Sequence, residues 1–216
     1  MEELEYYNAT KNGVTVTIKH FSPGYDFFKE YGTKFRYSLC HPDMTLGQKE
    51  YELIQSAFDS WEEYGYEIED TFEPPFMCPI YLYQICYGEP VKLSTKPFKD
   101  EFNSMQIGFA FIDQDDLYDF CQENGLEQPD PLDDYEYEQF RIEVTENYLK
   151  PILEEEVEAY EVFLEDKAFT VQVNDKTYGP FYMRAWINKK TLEFIPQEFV
   201  EEIKEAQRLR IEAESY

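Results

Sequence analysis

Near the start of the chain Val14, Val16 and Ile18 alternate with Thr15, Thr17 and Lys19, the period of two that predicts a half-buried strand. Residues 21–44 carry Pro23, Gly24, Gly32 and Pro42 and read as loop. From Leu46 to Tyr64 the period lengthens to three and four. Tyr51, Ile54, Phe58 and Trp61 then share one helical stripe, and Gly65 is placed to end it. Residues 79–112 run as PIYLYQICYGEPVKLSTKPF and, a little later, MQIGFAFI. This apolar, aromatic and β-branched pattern predicts two or three strands of a buried sheet, with turns at Gly88–Pro90 and around 97–103. Gly108, inside the last of them, predicts a bulge or the close approach of another backbone.

The pattern then turns helical. Asp113 can cap a helix that buries Leu117, Phe120 and Cys121 and stops at Gly125. Residues 127–134 are loop. A long helical pattern covers Tyr135 to Glu165, interrupted at Pro151, which can itself begin a helix. Its second half places Ile152, Leu153, Val157, Tyr160 and Leu164 on an apolar stripe and Glu154, Glu155, Glu158, Glu161 and Glu165 outside it. A hairpin follows, with Phe169, Val171 and Val173 alternating, a turn at Asn174-Asp175 and a returning strand from Tyr178 to Ile187. The last helix, Gln197 to Glu214, directs Phe199, Val200, Ile203, Ala206 and Ile211 inward. Its bases Lys204, Arg208 and Arg210 sit near the end, where cations suit the helix dipole.

Together these elements predict an α+β chain: a mostly antiparallel sheet from residues 79–112 and 167–187 covered by acidic helices, with an amino-terminal strand-helix extension. The division expected is 1–78 for the extension and 79–216 for the core, unless the two form one continuous domain.

Charge changes this picture. The 216 residues carry a net charge of −27, and residues 113–165 alone hold 19 acids against Arg141 and Lys150, a net −17. Residues 79–112 are neutral and residues 166–216 carry −1, so the acid is concentrated on the predicted helices. Like charges three or four residues apart on a helix repel by a few tenths of a kcal/mol per pair. A surface helix that leaves this repulsion in place suits a basic partner that relieves it, whereas simple solubility is the plainer explanation of any one acid. A chain of this sign is repelled by nucleic acid and by anionic membranes and is attracted to basic clefts. With 18% aromatic residues it is not disordered in composition, and it has no long apolar run or signal peptide, so a cytoplasmic location is expected.

Candidate chemistry is sparse. Cys40, Cys78, Cys86 and Cys121 are irregularly spaced and read as buried small residues; Cys40-His41 with Cys78 lacks the chelating pairs of a zinc site. No phosphate-cradling loop, GxSxG turn or HExxH is present, and Asp113 to Asp116 lacks the glycine and later glutamate of a calcium loop. No cofactor, metal or enzymatic activity is expected. A hydrolase with an unrecognised carboxylate pair stays open only because 46 acids guarantee that some pair is close.

The residues Tyr81-Leu82-Tyr83, Leu93 to Phe98 (LSTKPF) and Asn103 to Phe109 (NSMQIGF) resemble a family of uncharacterised proteins of phages and plasmids in low-GC bacteria. In that family the pattern runs YLYDHSG, STSPF and WDSGQVG, with a later L-x-x-EV-x-x-Y-x-x-YL segment that Leu153 to Leu164 matches here. The resemblance covers about residues 80–187. Gln84 to Gly88 replaces the DHSG turn and Phe102 to Met105 replaces WDSG, so a site built on those polar residues is missing. What the resemblance implies is an origin on a mobile element, not an activity.

Charge and resemblance together lead to an expected function. The chain reads as an anti-defence protein, a DNA mimic like antirestriction and anti-CRISPR proteins, that fills the basic nucleic-acid cleft of a host restriction or CRISPR nuclease. The residues expected to make that surface are Asp113, Asp115, Asp116, Asp119, Glu123, Asp133, Asp134, Glu136, Glu138, Glu154, Glu155, Glu158, Glu161 and Glu165, with a second cluster at Glu62, Glu63, Glu67, Glu69 and Asp70. A homodimer could join acids from two copies. The alternative is an inhibitor or adaptor that grips its partner through aromatic and apolar contacts, with acid only steering the encounter.

Overall fold

A computed structural model describes residues 4–22, 27–39, 46–48, 74–84, 91–100, 103–129 and 134–214. The fold is α+β, with two separate four-stranded antiparallel sheets. The chain divides into two compact units, residues 1–27 with 158–216, and residues 28–157.

In the first unit, β1 (Glu5–Lys11) and β2 (Val14–His20) form a hairpin, and β7 (Phe169–Val173) and β8 (Lys176–Phe181) form another. The strand order is β1-β2-β7-β8. Asn12 and Gly13 both have positive φ, the turn that matches strand twist; this Asn-Gly pair is the signal for β1, a strand the periodicity of residues 14–18 does not announce. Val16 lies opposite Val173 and Ile18 opposite Val171, so the alternation expected of β2 buries its apolar side beside that of β7. Helix α5 (Val200–Glu214) contributes Val200 and Ile203 to this core, next to Phe199 and Trp186.

The strand expected at residues 14–18 is therefore β2, an inner strand of a sheet shared with the carboxyl-terminal hairpin, and in sequence residues 28–157 lie between the two segments of the other unit. The returning strand ends at Phe181 rather than Ile187, and Ile211 is exposed instead of inward, because the buried face of α5 ends near Ala206.

In the second unit the order is β3-β6-β4-β5, from β3 (Arg36–Leu39), β4 (Phe76–Tyr83), β5 (Lys92–Ser94) and β6 (Ser104–Ile112). Strands β4 to β6 are those expected from residues 79–112. They form their own sheet and not one with residues 167–187, with the side of β6 away from β4 taken by β3. Both readings of Gly108 hold. Ile80 pairs with Gly108 and Tyr81 with Gln106, leaving Ile107 as a bulge. On its other side Gly108 lies opposite Leu39, and a Cβ there would stand 2.1 Å from the Ser38 carbonyl oxygen.

Helix α1 is a short segment, Phe27–Tyr31. Helix α2 (Gln114–Glu123) begins at Asp113, whose carboxylate accepts from the Asp116 N–H at 2.9 Å, and it buries Leu117, Phe120 and Cys121 as expected. Helix α3 (Asp134–Val144) passes through a π-helical turn (Thr145–Leu149) into α4 (Lys150–Leu164). Pro151 therefore does not interrupt the helix. It lacks the N–H that an α-turn would use, and the wider turn before it, closed from Lys150 N–H to the Thr145 carbonyl, absorbs the irregularity. The helix expected at 46–64 lies, beyond residue 48, outside the described residues.

Candidate functional site

The acids of α2, α3 and α4 do not form one class. At the start of α2, Arg36 of β3 places its guanidinium 2.6 Å from Asp113 and 2.7 Å from Asp116, with a further hydrogen bond from Nε to Asp116. At the end of α2, Lys34 pairs with Glu123 at 2.8 Å. Three of the expected surface acids are thus engaged by two bases two residues apart. The remaining acids of this helix, Asp115 and Asp119, lie one turn apart, exposed, with no ion-pair partner among the described residues.

On α3, Glu136 and Glu138 are exposed, and Glu138 is 3.4 Å from Arg141, a pair of surface type. Arg141 also donates to the Pro75 carbonyl, fastening α3 beside the start of β4. Gln114 bonds Tyr137 at 3.0 Å and Phe120 meets Tyr148 edge-on, so α2 lies along the α3 segment. Tyr118, Tyr135 and Ile142 are exposed among these acids.

On α4, Glu154 and Glu155 are exposed, and Glu154 has only a 3.8 Å contact with Lys96. Glu156 is different: it is buried, and its carboxylate accepts from the N–H groups of Lys34 and Phe35 and from the Tyr37 hydroxyl at 2.5, 3.4 and 2.9 Å. Burial pushes its carboxyl up to about 7, against the pull of those three donors, and the nearby Glu155 adds to the rise. Pattern reading leaves Glu156 out, yet the signal is there: it falls three residues after Leu153 and four before Tyr160, on the apolar stripe itself.

In the other unit Glu158 is exposed and has no ion-pair partner among the described residues. Glu161 and Glu165, by contrast, converge on Arg184, and both side chains are nearly buried. They were expected on an open face without compensation. The compensation comes mainly from Arg184, a residue distant in sequence, with Lys167 also 3.3 Å from Glu165.

Asp133 and the cluster Glu62, Glu63, Glu67, Glu69 and Asp70 lie outside the described residues, as do Cys40, Cys86 and His41; of Asp134 only its place at the head of α3 is described. Among the described residues no group of three or more His, Cys, Asp or Glu is placed to hold a metal ion, and no helix is long and apolar enough to cross a membrane.

Of the expected surface in the 28–157 unit, Asp115 and Asp119 on α2, Glu136 and Glu138 on α3, and Glu154 and Glu155 on α4 are exposed. No family model matches the chain, and comparison with curated proteins and with solved structures returns no match. The chemistry of these residues is therefore the ground for a functional reading.

Proposed function

We propose that this protein is an anti-defence inhibitor whose acidic helices occupy the basic nucleic-acid cleft of a host restriction or CRISPR nuclease. The observation that carries the reading is the sorting of the carboxylates. Asp113, Asp116, Glu156, Glu161 and Glu165 each have a base or a set of donors, while Asp115 and Asp119 are exposed one helical turn apart with no ion-pair partner among the described residues. Two carboxylates at that spacing repel, and a partner's cations remove the repulsion on binding. Helical pitch spaces such charges by about 5.4 Å, the same order as phosphates along a strand. The resemblance to phage and plasmid proteins supplies the defence context.

Protection of duplex DNA from cleavage is the direct test. The purified protein should inhibit a sensitive nuclease, an uncleavable duplex should compete with it, and inhibition should weaken steeply from low to moderate salt. Inhibition indifferent to both duplex and salt would overturn the mimicry.

A second reading has its own support. Tyr118, Tyr135 and Ile142 are 50%, 75% and 49% exposed, and exposed aromatics anchor protein interfaces. On that reading apolar contact holds the partner and charge only steers it, and salt would change the association rate far more than the lifetime of the complex.

A further inference from the structure

The chain contains two Asn-Gly pairs, Asn12-Gly13 and Asn124-Gly125. Asparagine is among the thermally labile residues, and most so before glycine, whose nitrogen has no side chain beside it and can reach the asparagine side-chain carbon. In a folded protein the reaction depends on whether the two groups are free to meet. Exposure does not separate the two sites, since all four residues are exposed.

Hydrogen bonding does. At Asn124, the C-cap of α2, Nδ2 donates to the Phe120 carbonyl at 2.8 Å, and the Gly125 N–H donates to the Gln122 carbonyl at 3.2 Å. The group that would leave and the nitrogen that would attack are both held by the last turn of the helix. At Asn12 neither is. Its Nδ2 reaches Glu198 Oε1 at 3.5 Å, the outer limit of a hydrogen bond, and the Gly13 N–H has no acceptor among the described residues.

We propose that Asn12-Gly13 is a site of spontaneous deamidation that, as the protein ages, loosens the β1–β2 turn. The Gly13 nitrogen gives up its proton to hydroxide and bonds to Asn12 Cγ; the Cγ–Nδ2 bond breaks, and Nδ2 takes a proton from water and leaves as ammonia. The cyclic imide then adds one water. Opening at Cγ gives an aspartate on the original backbone, whereas opening at the main-chain carbonyl carbon leaves the chain running through Cβ and Cγ, an isoaspartate. The net change is amide plus water to carboxylic acid plus ammonia, with nothing oxidised or reduced.

The fold treats the two products differently. Asn12 has a φ of 51°, in the left-handed region that aspartate, like asparagine, can enter. Isoaspartate instead adds a backbone carbon to a two-residue turn whose length sets Lys11 opposite Val14. Both products also turn the amide facing Glu198 into a carboxylate.

Peptide mapping tests the site, with the full chain aged at mildly alkaline pH in buffer and, in parallel, in urea that unfolds it. Unfolded, the two pairs should convert at similar rates. Folded, the peptide containing position 12 should gain one mass unit at least fivefold faster than the peptide containing position 124. A folded ratio no larger than the unfolded one overturns the proposal, as does a folded chain in which position 12 stays intact while the unfolded chain converts. The effect on the turn is read from the separated products. The isoaspartyl fraction should melt below wild type, and Asn12→Asp, which imitates the other product, should melt with it. An isoaspartyl fraction that melts with the wild type, or an Asn12→Asp variant that melts as low as the isoaspartyl fraction, overturns the loosening of the turn.

Discussion

The Tyr37 hydroxyl donates to Glu156 Oε2 at 2.9 Å, joining a fully buried strand residue to a carboxylate that is itself 3% exposed. Two N–H groups complete the shell of that carboxylate, so α4 grips the start of β3 through one side chain. Burial also pushes the Tyr37 phenol well above its ordinary value, followed by the charge of Glu156 and the hydrogen bond to it.

The Glu156 carboxyl lies at about 7 in the fold against an ordinary 4.5, so between those values the folded chain holds a proton that the unfolded chain releases. Its contribution is therefore fully present below pH 4.5 and is lost as pH rises through about 7. A shift of that size corresponds to roughly 3 kcal/mol. Wild-type stability should fall from pH 5 to pH 8 relative to Glu156→Gln, which stays neutral throughout. Denaturant titrations of both proteins across this range check it, and parallel profiles would return Glu156 to an ordinary carboxyl.

Arg184 is the only described base that Glu161 and Glu165 share. Arg184→Met should destabilise the protein by about 2 kcal/mol, below the roughly 3–5 kcal/mol of a fully buried pair because Arg184 is itself 43% exposed and Lys167 stays 3.3 Å from Glu165. Lys204→Ala, which loses only the surface pair with Glu201, should stay within about 0.5 kcal/mol of wild type. Urea midpoints of the two variants separate these outcomes.

Gly108→Ala would set a Cβ 2.1 Å from the Ser38 oxygen, a backbone atom of the neighbouring strand, at a φ of +141°. The variant should lose more than about 4 kcal/mol or fail to fold. Gly13→Ala has the unfavourable φ of +77° but nothing within 4 Å, so its loss should be about 1–2 kcal/mol. Thermal unfolding of both variants tests whether contact or backbone strain dominates at residue 108.

Charge reversal should also separate surface acids from structural ones. Asp115→Lys with Asp119→Lys should keep the melting temperature within a few degrees and abolish nuclease inhibition. Glu161→Lys should lower the melting temperature sharply by setting a cation beside Arg184. Inhibition undiminished in the first variant would remove α2 from the proposed surface.

Local order was legible where it is written in neighbouring residues. The Asp113 cap, the strands of residues 79–112, the bulge at Gly108 and the turn at Asn174 all follow from spacing or from a single residue type. Pairing between distant segments was not. Strand β3 is four residues long, too short for alternation to stand out among the prolines and glycines around it. The run Glu154-Glu155-Glu156 looks uniform in sequence, yet only its third member is buried. Periodicity tells which face a residue takes; it does not tell which base waits on that face, and Lys34, Arg36 and Arg184 decide that here.

Along the long helix the buried positions Val144, Leu149 and Leu153 are separated by five residues and then four. The step of five is the π-helical turn, which holds one residue more than an α-turn while keeping the faces before and after it aligned. Ile142, seven residues before Leu149, would fall on the inner side of a regular helix; across this turn it is carried outward and is 49% exposed. The segment 145–149 thus has the form of a single inserted residue accommodated without turning the rest of the helix. Deleting one residue there should restore an ordinary helix and leave Glu156 still facing Tyr37.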